Sequence, residues 1–395
     1  MRGPLAELFL REARLARRIG GGGAMGVVFF LILVTITPFA IGPDLNLLSR
    51  IGPAVLWIAA LHAAGGGYMG MIVLLWLTHF AIALSFGYLL LRMETPPLAA
   101  SFAVLMFGLT WTNQETLMWS MQWSAQLALL FFFAAWWLLI LILETPAPAS
   151  GLTCLYTLSV LASGLCSSRN MTGGAVLAVF ILLSGTSRRH WLLCGLSLLP
   201  GALLACAMWL FVPYHQATVL SAASFGIYYF LLNPLYLLLS FPGRAVDVRA
   251  LVIFGTAKIL ITAWALAHSR GALRRMLWTF LVFELITAAS LGYARSYTGL
   301  PSTVSSRYQY LSLLCFAPAA GIAWASLRKQ AQVLVLLISL GLIAYPWRTH
   351  LPFWAKLRGS DVRQELQQKS DDERFDPSSL TAGRARDLVH QYHLH

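Results

Sequence analysis

The chain has 395 residues, 58% of them hydrophobic and 11% charged, with a formal net charge of +13. A soluble domain carries about 25% charged residues, and here the apolar residues arrive in runs long enough to cross a bilayer, which excludes a soluble globular protein. The arginines sit in short clusters between those runs, the pattern of a membrane protein oriented by its loops rather than of a nucleic-acid-binding surface, so no nucleic-acid partner is expected.

Residues 1–23 form a basic segment with Arg2, Arg11, Arg14, Arg17 and Arg18. It is expected to lie on the cytoplasmic surface as an amphipathic helix ahead of an uncleaved first membrane helix. The Gly-rich run at 20–23 follows no strand and reads as a joint, not a phosphate loop. From there the apolar runs are continuous rather than alternating, which favours helices over a barrel. Spans are expected at 24–44, 67–92, 97–113, 118–144, 151–166, 171–186, 190–213, 249–269, 274–292, 308–326 and 331–347. The fold class is therefore all-α: a polytopic integral membrane protein of about eleven transmembrane helices with its N-terminus in the cytoplasm. The whole stretch 24–347 is read as one transmembrane domain.

The charge distribution supports that orientation. The inner loops then carry Arg92, Arg188, Arg189, Arg270, Arg274, Arg275, Arg328 and Lys329 besides the five N-terminal arginines. The outer loops carry Arg50, Arg169, Arg244, Arg249, Arg295 and Arg307, so the inner side holds the excess that the positive-inside rule requires. Residues 222–241 are long enough to span, but a crossing there would move Arg270, Arg274 and Arg275 outside. They read as a re-entrant or interfacial pair of half-helices broken near Asn233 and Pro234, with a kinked span as the alternative. The tail, 348–395, is polar, mixed in charge and extracytoplasmic in this topology. The bilayer makes membrane lipids the expected partners, and the inner (plasma) membrane is the expected location.

Candidate chemistry lies mostly on the outer side. Asp44 stands in the first outer loop, Glu115 in the second with Gln122 and Gln126 one turn apart beyond it, Arg169 in the third, and Arg295, Arg307 and Tyr308 in the fifth. Arginine forks suit phosphate or pyrophosphate, and a carboxylate beside them can take a proton from an attacking hydroxyl. Arginines in such loops also pair simply with lipid phosphates. Deeper in the membrane, Lys258 and Glu284 sit on adjacent helices of a hairpin at depths of roughly 14–18 Å, where an ion pair is geometrically allowed. His62 and His79 read as packed residues rather than ligands. Trp111, Trp119, Trp123, Trp136 and Trp137 read as interfacial belt and packing. The five cysteines form no CxxC and no cluster with histidine, so no zinc site is expected. There is no cofactor motif, although a divalent metal stays compatible with the outer acidic residues.

The stretch SSRYQYLSLLCFAPAAGIA (305–323) resembles the Ser-Arg-Tyr segment of bacterial GT-C-type glycosyltransferases, polytopic enzymes that use polyprenyl-phosphate sugars. NQETLMWSMQWSAQLALLFF (113–132) is similar to their Glu-x-x-x-Trp-x-x-Gln segment. The resemblance implies a membrane glycosyltransferase that moves a sugar from a lipid-phosphate-linked donor to a glycan, lipid or protein acceptor at the outer face. It makes Asp44 the catalytic base and assigns Arg307, Arg295 and Arg169 to the donor phosphate. Glu115, Gln122 and Tyr308 then line the substrate pocket. A transporter or flippase of a lipid-linked sugar, with Lys258 and Glu284 along its path, and a non-catalytic envelope-assembly protein are the alternatives.

Overall fold

In the computed structural model the described residues are 68–113, 116–117, 122–146, 148–211, 218–239 and 246–344. The helices are α1 (Tyr68–Arg92), α2 (Pro97–Leu109), α3 (Trp123–Glu144), α4 (Ser150–Cys166), α5 (Gly173–Ser184) and α6 (Arg188–Phe211). They continue as α7 (Val219–Leu232), α8 (Leu235–Leu239), α9 (Val248–His268), α10 (Gly271–Arg295), α11 (Ser306–Ala325) and α12 (Lys329–Ala344). No strand occurs among the described residues. Five of these helices, α1, α3, α6, α9 and α10, are long and apolar enough to cross a membrane. Each expected segment from residue 67 onward has a helix in its place, whereas the segment 24–44, the basic stretch 1–23 and the tail 348–395 lie outside the described residues.

Local chemistry sets the helix limits. Helix α1 ends in a turn in which Glu94 takes φ 63° and the Thr95 amide donates back to the Leu90 carbonyl at 3.0 Å, and Pro97 then opens α2, where its missing N–H costs nothing. Thr218 Oγ1 accepts from the Ser221 amide at 3.2 Å to start α7. Asp247 Oδ1 accepts from the Ala250 amide at 2.7 Å to start α9. Polar clamps then gather the helix ends. At one end Arg92 pairs with Glu144, joining α1 to α3, and Arg189 donates to the carbonyls of Ile142 and Pro146. Trp264 Nε1 donates to Ser326 Oγ at 3.1 Å, drawing α9 and α11 to that same end. At the other end the Ser306 hydroxyl donates to the Thr112 carbonyl and Ser221 to Ser296. The described basic residues expected inside thus share one end, and Arg295 and Arg307 stand at the other.

The core is aromatic. Phe280 of α10 meets Trp136 of α3 at 5.2 Å between ring centroids and Phe86 of α1 at 6.0 Å. Phe132 meets Phe283 at 4.8 Å. In lipid there is little hydrophobic gain from joining helices, so close fit and dispersion must hold them. Glycines supply the closest fit: a Cβ at Gly292 would overlap the carbonyl oxygen of Ala222, so α7 and α10 touch backbone to backbone. Helix α11 is central, with residues from Tyr308 to Trp324 buried nearly all round.

One helix is interrupted. Helix α7 begins beside Ser296 and descends to Leu232, where the cis Asn233–Pro234 bond breaks it, and the five-residue α8 follows. Helix α9 ends at the basic end, and its 21 residues reach back about 31 Å at 1.5 Å per residue.

Candidate functional site

Proline at 234 has no N–H, and the interrupted helix leaves carbonyls at the end of α7 without intrahelical donors. Within the membrane such groups must be met by protein. Lys258 of α9 meets them: its ammonium donates to the carbonyl oxygens of Phe230 and Asn233, the latter at 2.6 Å, and to Glu284 Oε1 of α10 at 2.6 Å. The Phe230 ring lies 4.3 Å from the same nitrogen. All three ammonium protons thus have acceptors, and the group is 1% exposed. Glu284 also receives the hydroxyl of Ser312 on α11. Asn233 Nδ2 donates to the carbonyls of Tyr229 and Thr303, at 3.0 and 2.9 Å. Gln309 Nε2 donates to the Pro234 carbonyl at 3.1 Å. The expected Lys258–Glu284 pair therefore forms, as the centre of a network that holds the broken helix to α9, α10 and α11.

Glu284 also borders a small crevice between α9, α10 and α11, otherwise lined mainly by apolar side chains such as Leu277, Leu281 and Phe316. Among the described residues, no group of three or more His, Cys, Asp or Glu is placed to hold a metal ion. His79, fully buried, has both ring nitrogens engaged: Nε2 lies 3.0 Å from the Gly108 carbonyl and Nδ1 lies 2.7 Å from the Tyr310 hydroxyl. A carbonyl can only accept, so Nε2 carries the proton and Nδ1 accepts from Tyr310. That arrangement makes His79 a packing residue with no nitrogen left for a ligand.

Of the residues singled out in the sequence, Asp44 and Glu115 lie outside the described residues, as does the side chain of Arg169. Gln122 precedes α3 and is half-buried. Arg295 donates to the Tyr297 hydroxyl at 2.8 Å. The Arg307 guanidinium sits 5.1 Å from the centre of the Tyr308 ring. Tyr308 is 2% exposed, and its ring packs with Phe225, Tyr229, Ala288 and Leu291. Its carbonyl accepts from the Tyr229 hydroxyl at 3.1 Å. Sequence reasoning counted Gln309 with the polar residues of the fifth outer loop, and it missed Ser312 and the carbonyls of Phe230 and Asn233. The spacing of Gln309 and Ser312, three apart on an otherwise apolar helix, is the signal that could have found Ser312.

The architecture defines an all-helical polytopic membrane protein. Comparison with known proteins adds a likeness confined to the N-terminus: the CcmB protein family matches residues 4–66. Heme exporter protein B of Bradyrhizobium diazoefficiens is 57% identical over 60 residues, which are 15% of this chain and 27% of that protein. Its counterpart in Paracoccus denitrificans is 50% identical over 57 residues, 14% of this chain and 26% of that protein. That of Escherichia coli K12 is 44% identical over 55 residues, 14% and 25%. The chain thus spans about a quarter of the length of the curated relatives it matches. No solved structure matches it. It is a multi-pass protein integral to the bacterial inner membrane.

These likenesses overturn the glycosyltransferase resemblance. The relatives are heme exporter proteins, not GT-C enzymes, so the sugar-transfer activity, the lipid-phosphate-linked sugar donor and the glycan, lipid or protein acceptor are withdrawn. The flippase of a lipid-linked sugar goes with them. The fold offers a physical reason for the misreading. The Ser-Arg-Tyr segment seats α11: Ser306 binds the Thr112 carbonyl, Arg307 covers the Tyr308 ring, and Tyr308 fills an apolar cluster instead of facing a pocket.

Proposed function

We propose that the chain is a membrane component of heme export. The observation that carries this reading is the 57% identity of its N-terminal stretch to heme exporter protein B of Bradyrhizobium diazoefficiens over 60 residues. The matched residues, 4–66, end where the described bundle begins, at Tyr68. The heme assignment therefore rests on the N-terminal segment, and the bundle is read from its own geometry. In this reading the segment 1–23 is cytoplasmic, about eleven helices cross the bilayer, residues 222–241 are re-entrant and 348–395 form an extracytoplasmic tail. The residues singled out in the sequence, Asp44, Glu115, Gln122, Arg169, Arg295, Arg307 and Tyr308, belong to the outward end. Heme carries carboxylates, and arginine pairs well with carboxylates, so Arg295 and Arg307 are the groups there suited to an outgoing heme.

The reading is tested in the bacterium that encodes the chain. Its gene is deleted, and heme delivered to an apo-peroxidase reporter on the outer side of the inner membrane is measured against total cellular heme. Reporter activity falls in the deletion and returns with the full chain. Unchanged delivery, in cells where the chain had been detected in the membrane, would remove the heme assignment.

A further inference from the structure

The break between α7 and α8 leaves two side-chain oxygens over. Asn233 and Gln309 are both fully buried. The Asn233 amide nitrogen gives its two protons to the carbonyls of Tyr229 and Thr303, and the Gln309 amide nitrogen donates to the Pro234 carbonyl. Turned over, either amide would set its oxygen against a carbonyl oxygen, so the orientation of both is fixed. Asn233 Oδ1 and Gln309 Oε1 are therefore acceptors, and neither meets a donor among the described residues. Buried acceptors are rarely left so, and inside a membrane lipid cannot satisfy them. Both border the same peptide: Asn233 belongs to it, and Gln309 holds the carbonyl that follows it. Whatever meets the two oxygens must bring protons or positive charge. A metal cation is disfavoured, because the Lys258 ammonium already stands 2.6 Å from the Asn233 carbonyl oxygen. Glu284, the carboxylate beside it, is taken up by Lys258 and Ser312, so a second cation would meet repulsion without a countercharge. Water carries two donors and no charge. Its route is short: Gln309 stands three residues inside Ser306 at the outward end, about 5 Å of helix, and Thr303 belongs to the link Leu300–Val304 that leads into α11.

We propose that the break is a binding site for ordered water, which enters from the outward end and donates to Asn233 Oδ1 and Gln309 Oε1. Buried water characteristically makes about three hydrogen bonds to protein groups that have no other partner, and these two oxygens are such groups. The water completes the network around Lys258 and gives the middle of the bundle a polar connection to the outer side. The site is independent of the heme reading, because it uses none of residues 4–66.

The test irradiates the full chain in nanodiscs with a brief X-ray pulse, which turns water into hydroxyl radicals where it stands, and maps the oxidised side chains by mass spectrometry. Tyr229 accepts from Asn233 through its carbonyl, and Tyr308 precedes Gln309. Both rings are buried, as are Phe133 and Phe280 of the aromatic core. Tyr229 and Tyr308 are expected to be oxidised well above Phe133 and Phe280, and a radical scavenger dissolved in the bulk leaves that labelling in place. Gln309→Met keeps the volume and removes the oxygen, and it lowers the labelling of both tyrosines to the level of the core pair. Size-exclusion elution checks that the variant folds, and if it does not, the wild-type comparison decides alone. Labelling of the tyrosines no higher than that of the core pair means that no water is bound there and overturns the proposal. Labelling abolished by the bulk scavenger, or unchanged in folded Gln309→Met, overturns it as well.

Discussion

Lys258 shows how a single residue can be both costly and indispensable. A lone ammonium in the hydrocarbon is strongly unfavourable, yet here every proton has an acceptor. Removing one member of such a buried pair leaves the other uncompensated, at about 3–5 kcal/mol. Lys258→Ala and Glu284→Ala are each expected to lower the thermal unfolding midpoint in detergent by several degrees. Lys258→Met with Glu284→Met recovers part of the loss, because no lone charge remains. It does not recover all of it, since the carbonyls of Phe230 and Asn233 lose their donor. If each single variant unfolded like the wild type, the pair would hold nothing together. The Tyr310→Phe variant is a milder case. It removes the donor to His79 and is expected to cost about 1 kcal/mol, read from the same unfolding curve.

The elements were legible in the sequence to different degrees, for physical reasons. Hydropathy depends on residue class over about twenty positions, so the helices from 67 onward stood where the apolar runs placed them. The break at Asn233–Pro234 was legible because proline removes a donor wherever it stands. The Lys258–Glu284 pair could be read because two charges in lipid at matching depth have few alternatives. The short motifs were misleading because they recur for local reasons, as the seating of α11 by Ser306, Arg307 and Tyr308 illustrates. Contacts such as Ser312 with Glu284 depend on helix rotation, which length and hydropathy do not fix. Close helix crossings are likewise invisible until the partner is known. Gly292 lies against the Ala222 carbonyl with no room for a side chain. Gly292→Val is therefore expected to force α7 from α10 and to abolish recovery of monodisperse protein, whereas Gly151→Ala, at a site with open space around it, is expected to be tolerated.

At the scale of the whole molecule, the chain joins a described helical bundle to an N-terminal segment with a likeness of its own. Composition alone showed residues 1–66 only as a basic stretch and an apolar run, because hydropathy keeps residue class and discards residue identity. The identity of that stretch to heme exporter protein B is what redirects the account from sugar transfer to heme export. The orientation is separately checkable. Single cysteines placed at Arg188 and at Tyr297, in a background without the native cysteines, are expected to react with a membrane-impermeant maleimide from the inner and the outer side respectively. The reverse pattern would invert the topology.

The most direct measurement of the central claim exchanges the segment itself. Residues 4–66 of this chain replace the matching stretch of heme exporter protein B in Bradyrhizobium diazoefficiens, and heme delivered across the inner membrane is measured. Delivery close to that of the unaltered exporter is expected, with a composition-matched scrambled segment failing. Loss of delivery with the exchanged segment, in a chimaera that reaches the membrane in normal amount, would contradict it.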